Sequence, residues 1–108
     1  MIEKYEYNGE DYKTVMGYGS WRIGLINYSE RFSKFCALER HLETDEAFIL
    51  LDGKATLYTD TERVEMQKRI VYNIPKGVWH HVVMSEDATV MVVENIDTDM
   101  SNSEIKEI

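Results

Sequence analysis

Apolar and polar residues alternate along most of this chain with a period of two. Short runs rich in Val, Ile, Tyr, Phe, Trp and Thr recur, and polar or turn-forming residues separate them. The runs are SWRIGLINYS, SKFCALERH, EAFILLD, KATLYTD, IVYNI, VWHHVVM and ATVMVVEN. They predict an all-β fold of seven or more short antiparallel strands. In so short a chain, such strands bury their apolar faces as a sandwich or a barrel.

Turn signals divide these runs. Asp52-Gly53 joins two of them directly, and this dipeptide favours a tight hairpin in which both central residues have positive φ.

A chain of 108 residues with 44% hydrophobic content supports one sizeable core, so we expect a single domain over residues 1–108. We expect its barrel in residues 20–96. The polar and acidic residues 97–108 are expected to form a tail or one short helix.

The stretch NIPKGVWHH contains the only proline of the chain, and its Pro-x-Gly sequence predicts a tight turn before a strand. In that strand, alternation places His80 on one face with Val82 and Met84, and His81 on the other face with Trp79. His80 is therefore predicted to point into the apolar interior. His81 is interpreted as a surface or interface histidine.

A second stretch, ERHLETDEAFILLDG, combines charged groups with an apolar strand. The same alternation puts Phe35, Glu39 and His41 on one face, and Glu46 with Phe48 on one face of the next strand. A carboxylate or imidazole in a barrel interior is costly unless it is paired, hydrogen-bonded or bound to a metal ion. The two stretches are therefore predicted to meet in one polar pocket.

Charge and cysteine content narrow the choice of partners. The net charge of −8 argues against binding to nucleic acid or to an anionic membrane, and no run is apolar enough to span a membrane. The first residues lack the apolar segment of a secretory signal, so we expect no leader, and the single cysteine, Cys36, cannot form an intramolecular disulfide. We expect a cytoplasmic protein in which Cys36 is buried and structural.

These two stretches resemble the two motifs of the cupin family, whose members are small jelly-roll β-barrels. Here the motifs are Glu39-x-His41-x4-Glu46-x6-Gly53 and Pro75-x-Gly77-x2-His80. The resemblance runs from about residue 35 to residue 95. It implies a compact double-stranded β-helix, the jelly-roll barrel, of bacterial type.

The resemblance also implies a set of site residues. His41, Glu46 and His80 would be ligands of a divalent ion, with Glu39 in the place of the first metal histidine. Two carboxylates and two neutral imidazoles suit Fe(II), Mn(II), Ni(II) or Zn(II), and no organic cofactor is expected. The alternative is a metal-free polar cavity in which Glu39 pairs with a histidine. The predicted pocket lining is Phe35, Phe48, Val82 and Met84, whereas Arg40, Glu43 and Asp45 are expected to be solvated.

Three function classes remain open. The first is a metal-dependent oxygenase or isomerase of a small organic molecule. The second is a metal-free isomerase or epimerase of a sugar or small acid, with Glu39 or Glu46 as base and His80 as acid. The third is a ligand-binding or sensing module without catalysis. A homodimer is expected, in which the tyrosine-rich N-terminal segment lies across the partner. Trp21 and Trp79 are interpreted as core or dimer-interface aromatics.

Overall fold

A computed structural model describes residues 1–108 and contains ten β-strands. The strands are β1 (Asp11–Tyr18), β2 (Trp21–Asn27), β3 (Ala37–His41), β4 (Glu46–Asp52), β5 (Ala55–Thr59), β6 (Arg63–Glu65), β7 (Tyr72–Ile74), β8 (His80–Met84), β9 (Thr89–Asn95) and β10 (Ser103–Glu107). Two short 3₁₀ helices, Glu30–Phe32 and Met100–Asn102, lie in the connections. The predicted all-β class is confirmed. No helix of this structure is long and apolar enough to cross a membrane.

The strands form two five-stranded antiparallel sheets. Sheet I has the order β1-β2-β9-β4-β7, and sheet II has the order β10-β3-β8-β5-β6. Strand β9 pairs with both β2 and β4, and β8 is central in sheet II. Most neighbours within a sheet therefore come from distant parts of the chain, as in a jelly roll.

The core lies between the two sheets, as the alternation of apolar residues requires. Val90 and Val92 of β9 have no more than 1% of their surface exposed. They pack with Phe48 and Leu50 of β4 in a cluster that also includes residues of sheet II, among them Ala55, Leu57, Val82 and Met84. This cluster fills one end of the barrel and leaves room for polar side chains at the other.

The Asp52-Gly53 turn differs from its prediction. It does not close a hairpin, because β4 belongs to sheet I and β5 to sheet II. Gly53 has φ of +70° but Asp52 does not have a positive φ, so only one of the two predicted left-handed residues is present. A Cβ at this position would lie 2.6 Å from the Ala88 Cα. The turn therefore carries the chain from one sheet to the other through a space that only glycine fits.

Both ends of the predicted barrel need correction. Residues 11–18, before the predicted start at position 20, form β1, the edge strand of sheet I. Residues 97–108 form neither a tail nor a single helix, because β10 pairs along its whole length with β3. An edge strand with one exposed face has a polar sequence, which is why residues 103–107 do not show a clear apolar pattern.

Cys36 is exposed, so the prediction of a buried structural cysteine is wrong. It precedes the first residue of β3, where the alternation of that strand does not yet apply. Its neighbour Phe35 is 39% exposed and stacks on Tyr58 with 4.4 Å between the ring centroids. The apolar sequence around Cys36 thus belongs to a surface aromatic contact and not to the core.

Candidate functional site

A cavity of about 460 Å³ opens between the two sheets at the polar end of the barrel. Strands β2, β4 and β9 of sheet I and strands β3, β8 and β10 of sheet II contribute to its wall. Its lining includes four predicted site residues, Glu39, His41, Glu46 and His80, together with several apolar side chains. The structure therefore brings the two predicted stretches together in one pocket.

His80 is placed by the Pro75–Gly77 turn. Gly77 has φ of +82°, and its amide donates to the carbonyl of His41 at 2.7 Å, so the turn connects β8 to the end of β3. His80 Nδ1 lies 3.0 Å from the Val78 carbonyl oxygen, which can only accept, so Nδ1 carries a proton and donates this hydrogen bond. Nε2 faces the pocket 2.8 Å from Glu46 Oε1, and because an ionised carboxylate only accepts, this contact is a hydrogen bond when Nε2 also carries a proton.

His41 has a similar arrangement at the end of β3. Its Nδ1 lies 2.8 Å from the hydroxyl oxygen of Ser103 in β10. Its Nε2 lies 3.1 Å from Glu46 Oε1 and 3.6 Å from Glu39 Oε1. These contacts lack the alignment of a hydrogen bond, so the buried Nε2 atom has no hydrogen-bond partner.

The donor atoms fit a divalent ion. Two ligands bound at about 2.1 Å and at a right angle to each other lie about 3.0 Å apart. The distances from Glu46 Oε1 to the two Nε2 atoms, 2.8 and 3.1 Å, bracket this value. Donor atoms of Glu39, His41 and His80 also lie within 4.8 Å of one another. Each histidine has its other ring nitrogen bonded to protein, as is usual for histidines that bind metal ions.

The ionisable side chains inside the pocket shift one another's pKa values. Burial opposes ionisation of Glu46, but its contacts with His41 and His80 outweigh burial and lower its pKa to about 2. Burial disfavours the charged form of His41, whereas Glu46 and Glu39 favour it, and the net effect raises the pKa of His41. The metal-free site therefore holds an ionised Glu46 between two imidazoles.

Glu94 is a site residue that the motifs did not indicate. It lies in β9 with only 6% of its surface exposed. Its Oε2 accepts hydrogen bonds from Arg22 Nη2 at 2.9 Å and from the Tyr12 hydroxyl at 3.2 Å. Its Oε1 is buried without a partner, and the side chain groups with His41 and Glu46. The alternation in TVMVVEN, which puts Glu94 on the face of Val90 and Val92, could have revealed it.

The surroundings of Glu94 disfavour the ionised form of its carboxyl group. Burial is the largest cause, and the negative charge of Glu46 adds to it, so that the pKa of Glu94 rises to about 7 although Arg22 acts in the opposite direction. Two buried carboxyl groups of the pocket thus have pKa values that lie far apart. One is ionised at all ordinary pH values, and the other exchanges its proton near neutrality.

The predicted apolar lining is only partly correct. Phe48 and Val82 line the cavity, whereas Phe35 and Met84 do not. Phe35 lies before β3 and stacks on Tyr58 at the surface. Met84 is at the far end of β8, opposite Ala55, and belongs to the closed core. Other apolar residues complete the wall of the cavity: Ile26, Phe32, Ala37, Leu38, Met100 and Ile105.

The residues expected outside the pocket follow their predictions in part. His81 is half-buried and contributes to the cavity wall, contrary to its prediction as a surface or interface residue, and its ring stacks on Phe32 with 6.0 Å between centroids. Burial is the main cause that lowers the pKa of His81. Trp79 is half-buried, with the Arg40 guanidinium and the Lys106 ammonium each 4.4 Å from its ring centroid. Arg40 is thus packed and not freely solvated.

Glu43 and Asp45 are exposed, as predicted. Asp45 has a structural role, because its carboxylate accepts hydrogen bonds from the Lys76 amide at 2.9 Å and from Asn73 Nδ2 at 3.1 Å. These bonds tie the loop before β4 to the turn that places His80. The pKa of Asp45 is lowered, chiefly by the bond from the Lys76 amide.

Comparison with known proteins agrees with this architecture. The sequence profile of the cupin domain matches residues 34–96. A cupin-2 domain protein from Shewanella frigidimarina is 23% identical, with a TM-score of 0.69 over 82% of this chain and 84% of that chain. KdgF from Halomonas is 14% identical, with a TM-score of 0.67 over 82% of this chain and 79% of that chain.

A third similar structure is Pac13 from Streptomyces, described as a nucleoside dehydratase and also determined with uridine. It is 9% identical, with a TM-score of 0.72 over 100% of this chain and 93% of that chain. No curated protein sequence matches this chain significantly. The profile match covers more than half of the 108 residues and both motif stretches. The chain therefore belongs to the cupin family.

Proposed function

We propose that the pocket binds a divalent metal ion together with a small organic molecule. His41, Glu46 and His80 would hold the ion, and Glu39 would complete the set. The observation that carries this proposal is the convergence of two histidine Nε2 atoms on Glu46 Oε1, at 2.8 and 3.1 Å, while both Nδ1 atoms bond elsewhere. The ligand types suit Fe(II), Mn(II), Ni(II) or Zn(II).

Individual residues of the cavity would have the following roles. Phe48 from sheet I and Val82 from sheet II give the cavity apolar surface, which would exclude water from a bound molecule. Glu94 holds a proton next to the ligand set near neutral pH and can deliver it to, or take it from, a molecule in the cavity. A bound ion would supply Lewis-acid polarisation of an oxygen atom of that molecule.

The size of the cavity limits the molecule. About 460 Å³ lies within the range of ordinary small-molecule sites, roughly 300 to 1,000 Å³. Pac13, whose fold is similar, is described as acting on a nucleoside, which is a molecule of this class. Because identity with Pac13 is only 9%, it supports the class of ligand and not a particular substrate.

The test is metal binding by separate histidine variants. His41→Ala and His80→Ala are each expected to lose stoichiometric metal, measured by elemental analysis after incubation with each of the four ions and desalting. The matched control is His81→Ala, which changes the neighbouring histidine on the opposite face of β8 and should keep the metal. Circular dichroism would show that each variant is folded.

Two results would count against the proposal. One is a wild-type protein that retains none of the four ions. The other is full metal content in either the His41→Ala or the His80→Ala variant.

A second candidate is metal-free acid–base catalysis, and the separation of the Glu46 and Glu94 pKa values favours it. In that case Glu46 would be the base and the protonated Glu94 or His80 the acid. Thermal-shift screening of sugars and small acids would be run with and without EDTA. Stabilisation by one of these molecules that persists in EDTA and disappears in Glu46→Gln would support this candidate over the metal-dependent one.

A further inference from the structure

The wall of the cavity contains a positive charge that the proposed ligand set does not use. Only two side chains with a permanent positive charge, Arg22 and Arg31, line the cavity. All three guanidinium nitrogens of Arg22 are occupied, because they donate to Glu94 and to two backbone carbonyls. Arg31 donates only from Nε and Nη2, to Asp11, so its Nη1 has no hydrogen-bond partner. Arg31 is therefore the cation of the cavity that is free to bind a molecule.

Arg31 lies at the mouth of the cavity. It belongs to the 3₁₀ helix Glu30–Phe32, in the connection that runs from β2 of sheet I to β3 of sheet II. Its side chain is 56% exposed. The hydrogen bonds with Asp11 raise the pKa of Arg31, and the charge of Glu39 adds to this effect, so Glu39 lies within electrostatic range of Arg31. A molecule that contacts the ligand set can therefore reach Arg31 as well.

The guanidinium group of Arg31 is held in a fixed orientation. Nε lies 2.9 Å from Asp11 Oδ2, and Nη2 lies 2.8 Å from Asp11 Oδ1, which is the bidentate geometry of an arginine and a carboxylate. The central carbon of the guanidinium also lies 4.3 Å from the centroid of the Phe32 ring. A cation that is fixed on two sides loses little conformational entropy when a ligand binds to it.

The residue that holds Arg31 has an unusual backbone conformation. Asp11 has φ of +69°, in the left-handed region that is unfavourable for residues with a side chain. Its carboxylate accepts hydrogen bonds from the Tyr12 amide, the Ser29 hydroxyl and the Arg31 guanidinium. The ion pair is partly exposed and contributes little stability, so stability alone does not account for the strain. Backbone strain of this kind is concentrated at functional sites, which favours a role for Asp11 in positioning Arg31.

We propose that the molecule held in the cavity is a carboxylic acid whose carboxylate binds to Arg31. This inference rests on the proposed function, because it concerns the ligand of the same cavity. Asp11 takes the Nε–Nη2 edge of the guanidinium, which leaves the Nη1–Nη2 edge with two N–H groups that match the two oxygens of a second carboxylate. A phosphate dianion would bring a second negative charge, for which the cavity has no free cation.

The other charges of the cavity are compatible with an acid when a divalent ion is bound. The carboxylates of Glu39 and Glu46 line the same cavity and repel an anion. A dication held by these two residues cancels their charge. The carboxylate of the bound molecule then faces Arg31 without this repulsion.

The test compares acids with their amides, which have nearly the same shape and no charge. The pairs are lactate and lactamide, mandelate and mandelamide, and glucuronate and glucuronamide. NMR titrations of the isotope-labelled protein give the dissociation constants, both without metal and after loading with Zn(II), which is diamagnetic. In the wild type, at least one acid should bind about tenfold or more tightly than its amide, as expected for a charge-assisted pair of hydrogen bonds.

Variants of Arg31 test whether this residue causes the preference. Arg31→Gln removes the charge and should reduce the preference for the acid to about twofold or less. The matched control is Arg63→Gln, which removes an arginine of similar exposure, 60% against 56%, that also pairs with a carboxylate but lies outside the cavity. It should leave the preference unchanged. Arg31→Lys keeps the charge without the bidentate geometry, and should weaken acid binding several-fold with little effect on the amide.

Several results would overturn the proposal. They are equal affinity of acids and amides in the wild type, failure of all three acids to bind in both forms of the protein, and an undiminished preference in folded Arg31→Gln or, if that variant does not fold, in Arg31→Lys. Metal content is measured separately, and Arg31→Gln should keep it, because Arg31 forms no hydrogen bond with the four ligand residues. A wild type that binds no metal overturns the proposed function alone, and the comparison of acids with amides in the metal-free protein then decides the role of Arg31.

Discussion

At the scale of single residues, the site depends on side chains that are unremarkable in the sequence. Ser103 and the Val78 carbonyl bond the outer ring nitrogens of the two histidines and so decide which nitrogen faces the cavity. Glu94 is held from behind by Arg22 and Tyr12. None of these partners belongs to the motif residues that carry the family resemblance, and yet they determine the orientation and charge of the pocket.

The raised pKa of Glu94 gives a prediction for stability. Between its ordinary value of 4.5 and about 7, only the folded protein holds the proton, so folding takes up a proton and stability falls as pH rises through this window. Glu94→Gln cannot ionise and avoids this loss. In the metal-free protein, the variant should therefore gain stability relative to the wild type between pH 5 and pH 8, by at most about 3 kcal/mol.

Urea unfolding at several pH values measures this difference. Glu86→Gln, in an exposed turn, corrects for the change in net charge. A Glu94→Gln variant whose stability relative to the wild type is the same at pH 5 and pH 8 would show that Glu94 is ionised in the folded protein throughout.

At the scale of elements, the Gly53 turn gives a second prediction. Gly53→Ala and Gly19→Ala both place an alanine at positive φ, which costs about 1 to 2 kcal/mol. Only the Gly53 variant also meets backbone, 2.6 Å from the Ala88 Cα, whereas nothing lies within 4 Å of the Cβ position at Gly19. Gly53→Ala should therefore be the more destabilising of the two, by a further 1 to 3 kcal/mol, about the cost of overpacking. Equal losses in thermal melts of the two variants would contradict this.

The elements also show how far the sequence alone could predict this structure. A period of two suffices to find all the strands except β1, β6 and β10, and to put His80 and Glu46 inside, because the side of a strand follows from position alone. It does not say which strands pair, so Asp52-Gly53 suggested a hairpin where the chain changes sheets. It also fails before a strand begins, as at Phe35 and Cys36. At the polar edge strand β10, pairing with β3 is a tertiary contact that leaves no local signal.

At the scale of the whole molecule, the net charge of the chain affects how readily two copies associate. Twelve basic and twenty acidic residues give each copy a net charge of −8, so two copies repel each other at long range. Raising ionic strength from about 0.01 M to about 0.1 M shortens the screening length from about 30 to about 10 Å.

For the homodimer that the sequence predicts, the dissociation constant should therefore fall several-fold over this range of salt. Sedimentation equilibrium at a series of salt concentrations measures it. A dissociation constant that rises with salt would instead point to attraction between opposite charges across the interface.

The order of strands within the sheets has a consequence for the rate of folding. Sheet I is completed only when β9 inserts between β2 and β4, and the segment from Asn27 to Thr89 must first be closed into a loop. Sheet II requires similar closures, because β3 pairs with β8 and with β10. The loss of chain entropy in such closures precedes most of the stabilising contacts. The protein should therefore fold on the scale of milliseconds to seconds, and its apolar strands stay accessible to other chains for that time.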